Sequence, residues 1–407
     1  MLYLVSKYLR LSAATIGMVL GVPTVAQGAY LKLWDNGPSS NRVDIVFLGD
    51  GYTAADINTT YNSDINSMLN WMFSGNENPY PRYKNFFNVH RLDIISQERG
   101  ADIPPKGIFR NTALDASYYF DGVTERLLYI NEAKAKQALV DNLPDPSLAE
   151  IRLVTVNDTL YGGGGGNFSV YAGGNKNATE IALHELGHSF NGLADEYDYS
   201  YLGIYTGAEP AAVNITKSAT GNKWSQWLGY DQPGIGVIGA YQGAGYYQQG
   251  LFRPSVNSKM RSLGQPFDAV SREKIILDIY GLVDPLDSWL DNTTTLFNPE
   301  KLWVKSIDPS VINVNWYVND VLVAGAENQW FDLANYGFDA GVYKVTAKAF
   351  DPTDWVRVNR DFLEQTITWN VQVSIPERVP EPGTLLGLLN LSIFVLVSCA
   401  RKSQDLS

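Results

Sequence analysis

The 407-residue chain reads as a mixed α+β domain followed by an all-β domain. Three observations predict this division. Between residues 29 and 285, apolar runs suited to strands alternate with stretches of helical spacing. One of those helical stretches carries two histidines and a glutamate within five residues. From 298 to 376 the pattern changes to short, β-branched, aromatic-rich segments separated by turns.

In the first domain, "RVDIVFLGDGY" is an apolar run closed by a Gly-Asp-Gly turn, which predicts a buried strand. "AADINTTYNSDINSMLNWMF" spaces its apolar residues for a helix. "YKNFFNVHRLDII" and "AEIRLVTVND" predict further strands, which places His90 on a strand as a hydrogen-bonded structural residue. "SREKIILDIYGLV" closes the domain as a helix, and residues 286–297 read as a linker. Beyond it, "NWYVNDVLV" predicts a hairpin about Asn319-Asp320, and the strand spacing over 298–376 suggests an immunoglobulin-like β-sandwich. Trp316, Trp355 and Trp369 are expected to fill its core.

Both ends carry processing signals. Lys7 and Arg10 precede an apolar stretch that ends in small residues, so residues 1–28 read as a signal peptide and the protein as exported. At 377–407, Pro380-Glu381-Pro382 precedes an apolar run from Thr384 to Ala400 and then Arg401-Lys402. That run is long enough for a short membrane span before processing, with the basic pair on the cytoplasmic side. The formal net charge of −12 becomes more negative once these ends are removed, which argues against nucleic acid as a partner. The single cysteine, Cys399, lies in the tail, so a disulfide or thiolate site in the rest of the chain is excluded.

The chemistry concentrates in "IALHELGHSFNGLADEY", which holds two of the chain's three histidines. One helical turn apart, His184 and His188 aim their rings at one point, the spacing of a zinc site. Glu185 projects beside them as a general base. Asn177 is placed to cap this helix, with Glu180 three residues on. A catalytic zinc takes three protein ligands, and without cysteine nearby the third is a carboxylate, Asp195 or Glu196. On a continued helix Asp195 would lie about 10 Å too far along the axis. Gly192 supplies the remedy, because positive φ there ends the helix and turns the chain back. Asp195 is therefore the expected third ligand, with Glu196 the rival or a partner of a ligating histidine.

"HELGHSFNGLADEY" resembles the zinc peptidases grouped with the bacterial immunoglobulin A-cleaving metallopeptidases. So do "VDIVFLGDGY", "YGGGGGNFSVYAGG" and "GAYQGAGYYQQGLFRPSVNSKMRSLGQPFDAVSREKI", a likeness covering most of residues 42–283. The resemblance implies a zincin-like catalytic domain, a twisted sheet over the active-site helix. It also implies His184, His188 and Asp195 as ligands of one Zn2+, Glu185 as base, and Met260 in a turn beneath the metal. The metzincin spacing is exceeded by one residue, since Asn191 precedes Gly192. The C-terminal order resembles the PEP-CTERM sorting tail, which implies an exosortase-type processing protease as a partner and a cell-surface or extracellular destination. Protein or peptide is the implied substrate. The glycine run lacks the Lys-Ser/Thr of a phosphate-binding loop; with "NFSVYA" after it, the stretch reads either as an edge strand where substrate backbone would pair or as a flexible loop. Tyr197 reads as a packing residue.

Overall fold

The computed structural model describes residues 29–75 and 77–374. The signal-peptide and sorting-tail segments lie outside the described residues. Among the described residues, no helix is long and apolar enough to cross a membrane.

Internal contacts divide the chain into two units. The first runs to Asp287 and also takes in Ile307–Ile312 and Phe350–Gln365; the second comprises Ser288–Ser306, Asn313–Ala349 and the chain from Thr366. Two segments from the span expected to be sandwich thus return to the first unit. Asp351 shows why: its buried carboxylate accepts from Arg82 (2.6 Å), Tyr83 (2.7 Å) and Tyr280 (3.0 Å), all of the first unit.

The first unit is built on a six-stranded sheet of β1 (Ala29–Trp34), β2 (Val43–Asp50), β3 (Phe87–Asp93), β4 (Ile151–Val156), β5 (Gly163–Gly164) and β6 (Ser169–Ala172), in the order β1-β3-β2-β4-β6-β5. The four central strands run parallel, and β1 and β5 are antiparallel to their neighbours. Every residue of β2 is buried, as expected for a parallel strand covered on both faces. Val46, Leu48, Val154 and Val156 share a core with Ala135 and Leu139 of α2 (Glu132–Asn142). α1 (Asn62–Phe73) and α3 (Ala178–Ser189) pack on one another, and α3 also crosses β4, β5 and β6. α4 (Ala269–Tyr280) follows, its N-terminus capped by the Asp268 side chain on Ser271 N. α1 begins later than its sequence pattern predicts, because Ile57–Tyr61 form a wider π-type turn. His90 lies on β3, fully enclosed.

The second unit is all β. One sheet orders Leu286–Trp289, Lys301–Ser306 and Trp330–Asp332; the other orders Leu296–Phe297, Glu364–Val373, Gly341–Phe350, Asn313–Val318 and Val321–Glu327. The expected linker 286–297 therefore contributes two strands. Asn319 and Asp320 take φ of +49° and +66°, the left-handed pair of a two-residue hairpin turn. Trp316 and Trp369 are buried with ring centroids 5.6 Å apart, and each indole donates to a backbone carbonyl. Trp355 is not in that core: it belongs to the first unit, beneath the Arg272 guanidinium at 4.6 Å.

Candidate active site

α3 presents His184, Glu185 and His188 on its cleft side, and glycines allow its close contacts. A Cβ at Gly187 would lie 2.7 Å from Met260 Sδ, so the glycine lets this methionine pack closely under the helix. Cβ atoms at Gly163 and Gly165 would lie 2.9 and 3.2 Å from the two Glu185 carboxylate oxygens. The glycine run is thus a close backbone approach to the active-site helix. β6 is not the edge strand that "NFSVYA" suggested, since it is flanked by β4 and β5. β5 is in turn covered, with Gly163 N bonded to Arg126 O and Leu128 N to Gly163 O.

The helix ends where the sequence indicates. Gly192 adopts φ +61°, its N–H bonds to His188 O (3.1 Å), and Leu193 N bonds to Gly187 O (2.9 Å). The chain then doubles back and carries Asp195 to the histidines. Asp195 Oδ1 lies 3.1 Å from His184 Nε2 and 3.2 Å from His188 Nε2, and the two Nε2 atoms are 3.2 Å apart. His184, His188 and Asp195 form a group able to hold a metal ion. Glu196 turns away: its buried carboxylate accepts from Ser258 Oγ (2.7 Å) and Asn214 Nδ2 (2.9 Å).

The outer contacts fix how these side chains face one another. His184 Nδ1 lies 3.0 Å from Lys259 O, and His188 Nδ1 2.7 Å from Leu193 O. Each Nδ1 must carry the proton to bond a carbonyl, so each Nε2 turns a lone pair inward. The Tyr246 hydroxyl donates to Asp195 Oδ2 at 2.5 Å, which leaves the buried Oδ1 without a hydrogen bond. Three electron pairs therefore converge on one point. A tetrahedral zinc with bonds of about 2.0–2.1 Å separates its ligand atoms by about 3.3 Å, which the observed spacings match. The same demand for positive charge acts on protons. Burial would depress the His188 imidazole, but the Asp195 carboxylate outweighs it and holds it up at about 9. Burial likewise opposes ionisation of Asp195, yet the imidazoles keep its carboxyl far below the usual range. Glu185 is raised, chiefly by burial. Tyr197 and Tyr246 are raised by burial and then by the Asp195 charge.

Several supporting residues were not read from the sequence. Asn214 brackets Ala194, accepting from its N–H (2.9 Å) and donating to its carbonyl (2.8 Å). Ser258 bonds Glu196, and Glu196 N bonds Met260 O (2.8 Å), joining the Asp195 loop to the turn that holds His184. Lys259, fully buried, anchors that turn on Glu180 (2.6 Å) and Glu77 (3.0 Å). This employs Glu180 in place of the expected capping role, and Asn177 makes no side-chain cap. Tyr246 reaches Asp195 from a backbone at φ +74°, a conformation rare outside glycine. Tyr197 packs against the Tyr199 and Tyr246 rings and lines the cleft, with its hydroxyl 3.4 Å from Arg126. Isolated polar residues in loops carry no periodicity or motif, so only their contacts reveal them.

A buried carboxylate and two imidazoles share one point beside a buried glutamate, in a cleft of about 850 Å³, an arrangement able to hold a metal ion. The sequence profile of the IgA peptidase M64 family matches residues 31–236, and the chain belongs to this family of metallopeptidases. The matched segment includes α3 and Asp195, while Tyr246 and the Ser258–Met260 turn lie beyond it. No curated protein matches the chain.

Proposed function

We propose that this protein is an exported zinc endopeptidase with a zincin-like catalytic domain and an immunoglobulin-like second domain. The observation that carries the reading is the convergence of His184 Nε2, His188 Nε2 and Asp195 Oδ1, each within 3.2 Å of the others. Histidine and carboxylate donors at tetrahedral spacing suit zinc. Bound there, zinc supplies Lewis acidity toward water and the scissile carbonyl. Glu185, raised by burial and held beneath the glycine strand, takes the proton of the attacking water and passes it to the leaving amine. His184 and His188 keep their orientation through Lys259 O and Leu193 O. Protein or peptide is the substrate. Export follows from the signal-peptide reading of residues 1–28, and surface sorting with exosortase-type processing from the Pro380-Glu381-Pro382 tail; both rest on sequence alone.

The test is zinc content and casein hydrolysis of the purified protein beside Glu185→Gln. About one zinc per chain in both is expected, with hydrolysis in the variant reduced by about 10²- to 10⁴-fold. Zinc in both proteins with no hydrolysis of any peptide by the wild type would overturn the peptidase reading and favour a structural zinc site on a binding protein.

A further inference from the structure

The metal-ligand group is bordered by a second cavity besides the main cleft. It has a volume of about 330 Å³, and Arg126, Tyr161, Tyr197, Tyr199, Arg261 and Glu185 are among its walls. Arg126, His184, Glu185, Tyr197 and Tyr199 line both spaces, so the two border the same side chains at the metal-ligand group. A peptide crossing the main cleft would have this small, polar recess beside the bond to be cut.

Its charge is unbalanced. Arg261 is already satisfied: one Nη lies 3.1 Å from Asp198 Oδ1, and the other donates to Glu196 O at 2.8 Å. Arg126 is different. Its Nη2 donates to the hydroxyls of Tyr199 (2.8 Å) and Tyr197 (3.4 Å), and its guanidinium lies 6.0 Å from the Tyr197 ring centre. Among the described residues no carboxylate forms an ion pair with it, and its Nε and Nη1 make no hydrogen bond. The backbone beneath it is fixed, because Arg126 O accepts from Gly163 N at 3.1 Å. Glu185 feels this charge through space but makes no hydrogen bond to it, so the open edge of the half-buried guanidinium keeps the planar fork that matches a carboxylate.

We infer that this recess is a substrate pocket for a carboxylate and that Arg126 is its specificity-determining residue. The peptidase therefore favours substrates with an acidic side chain, or a free C-terminus, beside the scissile bond. This rests on the peptidase reading and goes beyond it by naming the substrate class. Glu185 also faces the recess and the Arg126 charge favours its ionised form, so the inference is read from the ratio between matched substrates and not from activity alone. The protein's overall acidity, −12 at neutral pH, repels acidic peptides at long range, so the selectivity must come from this local contact.

The experiment digests a mixed peptide library with the zinc-loaded protein and then measures kcat/KM on matched peptides. Glutamate against glutamine at the selected position tests a side-chain carboxylate; free against amidated C-termini tests a terminal one. Wild type is expected to prefer one carboxylate form by about 10- to 100-fold, the range of hydrogen bonds to charged groups. Arg126→Gln should collapse that ratio mainly through KM, Arg126→Lys should keep part of it, and Arg126→Glu should turn preference toward lysine. A wild-type ratio near one in both arms overturns the inference without needing any variant to fold. So does an Arg126→Gln protein that lowers kcat equally on both peptides with the ratio intact, since Arg126 would then act on the reaction itself. Absence of all cleavage by zinc-loaded wild type overturns the peptidase reading instead.

Discussion

The first unit holds two histidine–aspartate groups that look alike by distance and differ in kind. At the foot of the sheet, His90 Nε2 lies 2.7 Å from Asp44 Oδ1; on α3, two Nε2 atoms lie 3.1 and 3.2 Å from Asp195 Oδ1. What separates them is the second nitrogen. His90 Nδ1 lies 2.9 Å from the Tyr30 hydroxyl, so a neutral ring with its proton on Nε2 donates to Asp44 and accepts from Tyr30. Asn88 and Ser39 also donate to Asp44 Oδ1. Both ring nitrogens of that group already have partners, and its three hydrogen bonds to the carboxylate all fall on Asp44 Oδ1, leaving only the buried Oδ2 without one. On α3 both Nδ1 protons go to backbone carbonyls, and the three remaining electron pairs face one another. A histidine beside an aspartate is therefore no sign of a metal, and neither is an unbonded carboxylate oxygen, which both groups have; two ring lone pairs turned toward one such oxygen are what set the α3 group apart.

Removing the carboxylate from each group should separate them most sharply. Asp195→Ala takes away a ligand, so zinc should fall from about one per chain to almost none and hydrolysis by more than about a thousandfold. Asp44→Ala removes the acceptor that His90, Asn88 and Ser39 share. It strands the buried His90 Nε2, since Asn88 Nδ2 keeps Gly37 O, so it should cost about 1–3 kcal/mol in urea unfolding while zinc content stays the same. Loss of zinc from Asp44→Ala, or its retention in Asp195→Ala, would break the distinction.

The two groups also differ in how legible they were. The α3 site was readable because its parts sit close in sequence: the histidine spacing fixed a shared face, and Gly192 marked where the chain must turn. Asp195 and not Glu196 reaches the histidines because the loop turns alternate side chains to opposite sides, one to the cleft and one to Ser258 and Asn214. The His90 group joins β1, β2 and β3, and such partners have no local signature; placing His90 on a strand was as far as pattern could go. The glycine run was ambiguous for a similar reason, since the need for glycine comes from Glu185 and His188, which are distant from it in the chain. In the second unit the hairpin at Asn319-Asp320 was legible from turn chemistry, whereas the strands inside 286–297 were hidden by their polar, short segments.

A smaller effect is expected one step outward from the ligands. Asn214 touches no ligand side chain, but it grips Ala194 from both sides, between the carbonyl that orients His188 and the carboxylate of Asp195. Asn214→Ala should weaken zinc binding by about 10- to 100-fold, the scale of losses for groups that orient metal ligands. Competition with a chromophoric chelator measures this directly. An unchanged affinity would mean that the Gly192 turn alone positions the loop.

The smallest expected change tests the closed group from its outer edge. Tyr30→Phe removes the hydroxyl that His90 Nδ1 accepts from and keeps the ring, which stacks on the imidazole at 5.7 Å. One lone pair loses its donor while Nε2–H still donates to Asp44, so the cost should be about 1 kcal/mol, reduced by water reaching this partly exposed edge. Zinc content and casein hydrolysis should not move. The imidazole ¹⁵N shifts give the finer reading: Nε2 should remain protonated in both proteins and only Nδ1 should respond. If Nδ1 were found protonated in the wild type, Tyr30 would be the acceptor and the Asp44 contact would hold a charged ring. The His90 group would then need a cation after all, supplied by a proton, and the two sites would differ in which cation they take and not in whether they take one.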